Sequence, residues 1–246
     1  MKAPDIEPAY WLARVLAYPI RLFFRIRRVG SRHIPRRGPV LLACNHISLL
    51  DPLVVLWLGE CTRRKVRFLA MAELWNLWWL RFFLVHTKQI PVERASSGAV
   101  GSLEPAARAL RLGECVAIFP EGEISEDLEL MPGKTGVARI AATSGTPVTP
   151  VGVWGSQRVH AKGRKRRIPL GTAITIVVGE PVTIASDEDP FVATDRIMEA
   201  VADCVATARA IYPQHPRVGE DGWWVRNPGT ATMKPTPRTR DRSRWS

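Results

Sequence analysis

Short apolar runs alternate along this chain with longer stretches of helical period. Arg25–His33 and Val40–Cys44 read as strands joined by the turn chemistry of Pro35–Pro39. Asp51-Pro52 then opens a helix to about Leu58, with aspartate favourable as an N-cap and proline favourable at the first helical position. Val66–Ala70 is a strand, Glu73–Val85 a helix and Gln89–Val92 a short strand. Ser96 or Ser97 caps a helix that ends near Leu112 and stops at Gly113. Cys115–Phe119 is an unbroken apolar run, the pattern of a strand covered on both faces. Lys134–Ser144 is helical, Pro147–Val153 and Ala173–Val178 are strands, and Asp189-Pro190 begins a last helix through Ala210.

This alternation predicts an α/β fold with a mostly parallel central sheet flanked by helices. Residues 26–212 make up the folded domain on this reading. Residues 1–25 precede it as an amphipathic helix at a membrane interface, and residues 213–246 follow as a basic tail whose Pro, Gly, Thr and Arg content predicts disorder. No internal repeat is visible. No stretch reaches the ~18–20 uninterrupted apolar residues of a spanning helix. Trp11–Val29 and Leu74–Val85 instead mix Trp, Leu and Phe with arginine, the composition of helices lying in the interface, although ordinary packed amphipathic helices have the same pattern. Trp57, Trp75, Trp78 and Trp79 crowd into one short region and favour the interfacial reading.

Of 246 residues, 46% are hydrophobic and 24% charged, a globular balance that excludes a wholly disordered or fibrous chain. The net charge of +12 calls for an anionic neighbour: nucleic acid, anionic lipid, or phosphorylated small molecules. Cys44, Cys61, Cys115 and Cys204 lie far apart with no CxxC pair, which argues for a reducing compartment and against a zinc ribbon or disulfide framework. The opening MKAPDIEPAY does not read as a secretory signal.

Three stretches can carry chemistry. In ACNHISLLD, Ala43–Asp51, a histidine follows an apolar strand and an aspartate stands five residues on, at a helix start. A histidine at the carboxyl edge of a sheet, its Nδ1 proton held by a carboxylate, keeps Nε2 free to take a proton from a hydroxyl. The same residues also fit a plain structural role, with Asp51 a helix cap and His46 a turn residue. In FPEGEIS, Phe119–Ser125, a tight turn brings Glu121 to that edge, where its carboxylate can orient hydroxyls and the N–H groups around Gly122 can meet an oxyanion or phosphate. In QIPVER, Gln89–Arg94, an arginine closes a strand and can hold a phosphate, or simply pair with Glu93.

The order NHxxxxD, xxIPVxR, FPEG, then PVxPVGV at Pro147–Val153 resembles the glycerolipid acyltransferase family, best known for 1-acyl-glycerol-3-phosphate acyltransferases, over about residues 26–180. The resemblance implies that His46 is the general base and Asp51 its orienting partner. It makes Arg94 the site for the acceptor's phosphate, with Glu121 and Gly122 positioning the glycerol backbone, Lys134 assisting with phosphate, and the Pro150 strand shaping the acyl side. The implied reaction moves a fatty acyl group from acyl-CoA or acyl carrier protein to a lysophosphatidate hydroxyl, with no metal or further cofactor, at the cytoplasmic face of a membrane as a peripheral or monotopic protein. Glycerol-3-phosphate, a lysophospholipid or a glycolipid are alternative acceptors. Two departures stand out. Glu123 and Ile124 occupy positions where relatives commonly have Thr and Arg, and Lys88 stands where many have Gly and can deliver charge from another direction. The dense run Arg158, Lys162 and Arg164 to Arg167 suits an anionic leaflet. A nucleic-acid-binding protein is the rival class; no recognition motif supports it and the aromatics gather with apolar residues, so no nucleic-acid partner is expected.

Overall fold

β2 (Val40–Cys44) is buried along its whole length, because it lies in the middle of a seven-stranded sheet with helices on both faces. The structure, a computed structural model, describes residues 22–92, 103–164, 170–216, 218–220 and 222–225. The other strands are β1 (Phe24–Val29), β3 (Val66–Met71), β4 (Ile90–Val92), β5 (Cys115–Ile118), β6 (Val148–Trp154) and β7 (Thr172–Val178). Their order across the sheet is β1-β7-β6-β2-β5-β3-β4. β2 to β6 run parallel, and β7, with β1 parallel to it, runs antiparallel to β6.

The period-two alternation of β2 splits its side chains between two cores. Val40, Leu42 and Cys44 pack with Val54, Val55 and Leu58 of α1 (Asp51–Thr62), alongside Val151 and Val153 of β6. Leu41 and Ala43 face the other side. There they meet α3 (Glu104–Arg111), α4 (Gly136–Ser144) and α5 (Pro190–Ala210) through Leu110, Ile140 and Ile197. Each fully buried Val, Leu or Ile among them contributes roughly 1.5–3 kcal/mol. Asp189 caps α5, its carboxylate accepting the N–H groups of Phe191 and Val192.

Four expectations need correction. The strand expected to reach His33 stops at Val29; the chain turns there, and His33 Nδ1 meets the Val178 carbonyl at 3.2 Å. The helix expected over Glu73–Val85 breaks at Leu77, whose extended backbone separates a 3-10 turn, Ala72–Asn76, from α2 (Trp78–His86). The folded domain does not end at 212. Trp224 is buried against Tyr212 and lies under the Arg158 guanidinium at 3.9 Å, while Gln214 accepts the Ala173 N–H, so described residues as far as Trp224 pack on the domain. The N-terminal boundary at 25 falls inside β1; residues 1–21 and 226–246, which include most of the expected helix and tail, lie outside the described residues.

Candidate active site

Because β2 and β5 are parallel neighbours, the loops that follow them emerge at the same carboxyl edge. Asn45 extends β2 one step further by side-chain bonding: its amide donates to the Val153 carbonyl at 3.1 Å and its oxygen accepts the Val153 N–H at 2.7 Å. The next residue, His46, is thereby held at the rim.

Asp51 opens α1 but does not cap it. Its carboxylate points back across the turn, and Oδ2 accepts the N–H groups of Ile47 at 2.7 Å and Ser48 at 2.8 Å. The His46 Nδ1 lies 3.0 Å from the same oxygen. Oδ1 accepts the hydroxyl of Ser156, from the turn after β6, at 2.5 Å. The carboxylate is fully buried, and a buried charge persists only when its lone pairs are taken. The reading of Asp51 as a cap alone is therefore set aside. With Nδ1 as the donor to Asp51, Nε2 is the acceptor nitrogen of the ring. The imidazole stacks on Phe119 with centroids 4.2 Å apart, and its side chain is 14% exposed, which leaves one edge open.

Glu121 sits directly beneath. Its two carboxylate oxygens accept the His46 N–H at 2.7 Å and the Met131 N–H at 2.9 Å. Burial pushes its pKa up to about 8 against those two backbone N–H groups, with the Asp51 and Asp127 charges raising it further. So engaged, Glu121 ties the His46 backbone to the loop at Met131, and it also lines a cavity beside Lys134. Gly122 likewise spends its N–H on the Phe119 carbonyl, closing a turn that needs its φ of 72°, so that N–H is not available to an oxyanion. Lys134 does come to the site: a Cβ built on Gly122 would lie 2.6 Å from its ammonium nitrogen. Arg94 lies outside the described residues.

Two cavities flank the turn. One of about 410 Å³ is lined by Glu123, Glu126, Asp127, Lys162, Arg164 and Trp223, and one of about 240 Å³ by Glu121, Lys134 and Phe191 among others. Lys162 is 2.9 Å from Glu126 and 3.8 Å from Glu123, and Arg164 stacks on Trp223. Of the basic run expected to face lipid, Arg158, Lys162 and Arg164 thus have partners within the fold, and 165–167 lie outside the described residues. Lys88 holds a left-handed φ of 53°, the conformation that glycine adopts without strain, and its side chain is exposed.

Sequence reasoning missed Ser156, Phe119 and the bracing role of Glu121. The glycine-serine pair after the β6 run was the available signal for Ser156, but nothing local ties it to Asp51. Among the described residues no serine completes a hydrolase triad: Ser48 donates to the His160 carbonyl, and Ser125 to Asp127 and the Glu129 carbonyl.

Fold and site together define an α/β protein with an aspartate-oriented histidine at the carboxyl edge of its sheet. The chain belongs to the acyltransferase family, whose model, described as Acyltransferase, matches residues 25–154. It is 27% identical over 158 residues to a 1-acyl-sn-glycerol-3-phosphate acyltransferase of Borreliella burgdorferi, covering 64% of this chain and 58% of that protein. It is 31% identical over 181 residues to a lyso-ornithine lipid O-acyltransferase of Rhizobium meliloti, covering 72% and 56%. The chain thus spans just over half the length of these two relatives. The solved 1-acyl-sn-glycerophosphate (LPA) acyltransferase PlsC of Thermotoga maritima shares the fold, with a TM-score of 0.66, 23% identity and 86% of each chain covered.

Proposed function

We propose that this protein transfers a fatty acyl group from a thioester, acyl-CoA or acyl carrier protein, to the free hydroxyl of 1-acyl-glycerol-3-phosphate, forming phosphatidic acid. The observation that carries the reading is the His46–Asp51 contact of 3.0 Å at the sheet edge, with the carboxylate sequestered and the ring partly open. His46 Nε2 takes the acceptor's hydroxyl proton as that oxygen attacks the thioester carbonyl. The tetrahedral intermediate collapses, the C–S bond breaks, and the thiolate leaves with the proton returned by His46. Asp51 holds the tautomer and stabilises the imidazolium. A positioned base contributes ~10²–10⁴ in rate, and holding both substrates together supplies much of the rest.

Supporting a membrane-bound acceptor, the large exposed apolar side chains concentrate at the edge that bears His46. Leu22 and Phe23 precede β1, Leu170 precedes β7, Leu49 follows β2, and Leu77 and Trp78 follow β3. The direction of each strand puts all of these at one rim. On α2, Trp78, Phe82 and Val85 recur at helical spacing, with Trp78 84% exposed, beside Arg81. No helix among the described residues is long and apolar enough to cross a membrane. The protein then works as a peripheral or monotopic enzyme at the cytoplasmic face, drawing its acceptor from the leaflet.

A second acceptor class has specific support. The 410 Å³ cavity sets Glu123, Glu126 and Asp127 against Lys162 and Arg164, a mixed field that suits a headgroup bearing an amine as well as an anion, and one relative is named for a lyso-ornithine lipid. The test offers oleoyl-CoA with lysophosphatidate, glycerol-3-phosphate, lysophosphatidylethanolamine or lyso-ornithine lipid, and reads products by mass spectrometry. Phosphatidic acid from the wild type and none from His46→Ala supports the main reading. Undiminished transfer by His46→Ala ends it.

A further inference from the structure

Arg209 on α5 touches the supports of both His46 and Asp51. On one side, its Nη2 donates to the Leu128 carbonyl at 2.5 Å and its Nη1 lies 3.5 Å from a Glu129 carboxylate oxygen. Leu128 is a buried leucine at φ 66°, a backbone state that L side chains rarely hold without outside constraint. It belongs to the loop that clamps the base: Ser125 donates its N–H to the His46 carbonyl at 2.8 Å, and the Met131 N–H meets Glu121, which in turn holds the His46 N–H. The loop is tied internally by the Ser125 hydroxyl on the Glu129 carbonyl at 2.7 Å. On the other side, the guanidinium stacks on Trp154 at 4.2 Å, two residues before the Ser156 that braces Asp51.

This arrangement is a poor choice for stability alone. The Arg209 side chain is nearly fully buried, its Nε and Nη1 have no hydrogen-bond partner, and neither does Glu129 Oε2. The Trp154 ring on which it stacks would accept a methionine without desolvating a charge. No apolar side chain, however, can hold the Leu128 carbonyl in its left-handed turn while packing Trp154.

We propose that Arg209 is a positioning residue for the His46–Asp51 couple, acting through the 125–131 loop on one side and through Trp154 and Ser156 on the other. It rests on the reading of His46 as the base. The test compares the full-length wild type with Arg209→Met, Arg209→Lys and Glu129→Gln in two measurements. The first is amide hydrogen exchange at Ser125 and Met131, which needs no substrate. The second is steady-state transfer from oleoyl-CoA, scaled to folded protein. Arg209→Met is expected to exchange at least ~10-fold faster at both amides and to lose ~10–100-fold in kcat with KM for the thioester little changed, the scale of a small displacement of reacting groups. Arg209→Lys, which keeps a donor for Leu128, is expected to recover part of both, and Glu129→Gln to show a smaller loss of the same kind. Wild-type exchange in Arg209→Met, or faster exchange with undiminished kcat, overturns the proposal. If Arg209→Met does not fold, the same criteria apply to the lysine and Glu129→Gln variants. Faster exchange in Arg209→Met beside a wild type that transfers no acyl group would retain the mechanical link while ending the acyltransferase reading.

Discussion

Ser156 donates its hydroxyl to the oxygen of Asp51 that His46 does not use, at 2.5 Å across 105 positions of sequence. With Ile47 and Ser48 on the other oxygen, the buried carboxylate is locked in the orientation that presents its charge to the imidazole. Removing the hydroxyl in Ser156→Ala leaves Oδ1 without that donor inside the protein. Urea unfolding is expected to show a loss of about 1–3 kcal/mol, with turnover reduced but not abolished.

Asp51→Asn tests the charge itself. An amide oxygen in the Oδ2 place can still accept from Ile47, Ser48 and the Nδ1 proton, with the NH2 turned to Ser156, but the neutral side chain no longer carries the charge that stabilises the imidazolium. Turnover should fall on the order of 10²–10⁴, approaching the His46→Ala level, with the circular dichroism spectrum unchanged. A variant within a few-fold of wild type would show that Asp51 only shapes the turn.

Glu121 predicts a pH dependence of stability. Burial raises its folded-state pKa to about 8, above the ordinary value of 4.5 that it regains on unfolding. Between these values the unfolded chain releases a proton that the folded one keeps. The group's contribution is therefore complete below about 4.5 and declines as pH rises to about 8. A tenfold difference in proton affinity between the two states corresponds to about 1.4 kcal/mol. Glu121→Gln should flatten this slope, measured as the difference in unfolding free energy between pH 5 and pH 8, while lowering stability overall because the amide cannot accept both backbone N–H groups. An identical slope in the two proteins would place the titration elsewhere.

Gly152 sets how closely α5 docks on β6. A Cβ there would lie 2.4 Å from the Cys204 carbonyl carbon, backbone against backbone, with no flexible atom to yield. Gly152→Ala should push α5 outward and cost about 3 kcal/mol or more, seen as a large drop in melting temperature or as insoluble protein.

The exposed face of α2 should bind lipid without supporting the fold. Trp78→Ser combined with Phe82→Ser is expected to reduce co-sedimentation with phosphatidylglycerol-containing vesicles severalfold, while thermal stability shifts little, because these side chains are 84% and 56% exposed. Unchanged sedimentation would mean that another surface holds the membrane.

The elements themselves were legible from the chain because burial leaves a local trace. The unbroken apolar run from Cys115 reads as a strand covered on both faces, and Asp189-Pro190 marks a helix start by cap chemistry alone. His46 and Asp51 were legible for a similar reason: five residues of one turn bring them together, so no distant contact is needed. The break at Leu77 and the return of Trp224 to the core were not legible. An apolar, aromatic stretch reads alike whether it continues a helix or interrupts one, and a Pro- and Arg-rich segment does not announce that Trp224 within it is buried.

The amino-acid order alone determined an alternating α/β chain with an imidazole and a carboxyl in one turn after a buried strand. Only the three-dimensional arrangement decided that β2 lies between β5 and β6, and from that followed which groups support the pair: Glu121 and the 125–131 loop from beyond β5, Ser156 from beyond β6, Arg209 from the helix packed on β6. Strand adjacency is set by summed burial over the whole sheet, with no signal confined to the strands concerned. The partners that hold a reactive side chain in place therefore become visible only once the chain has folded.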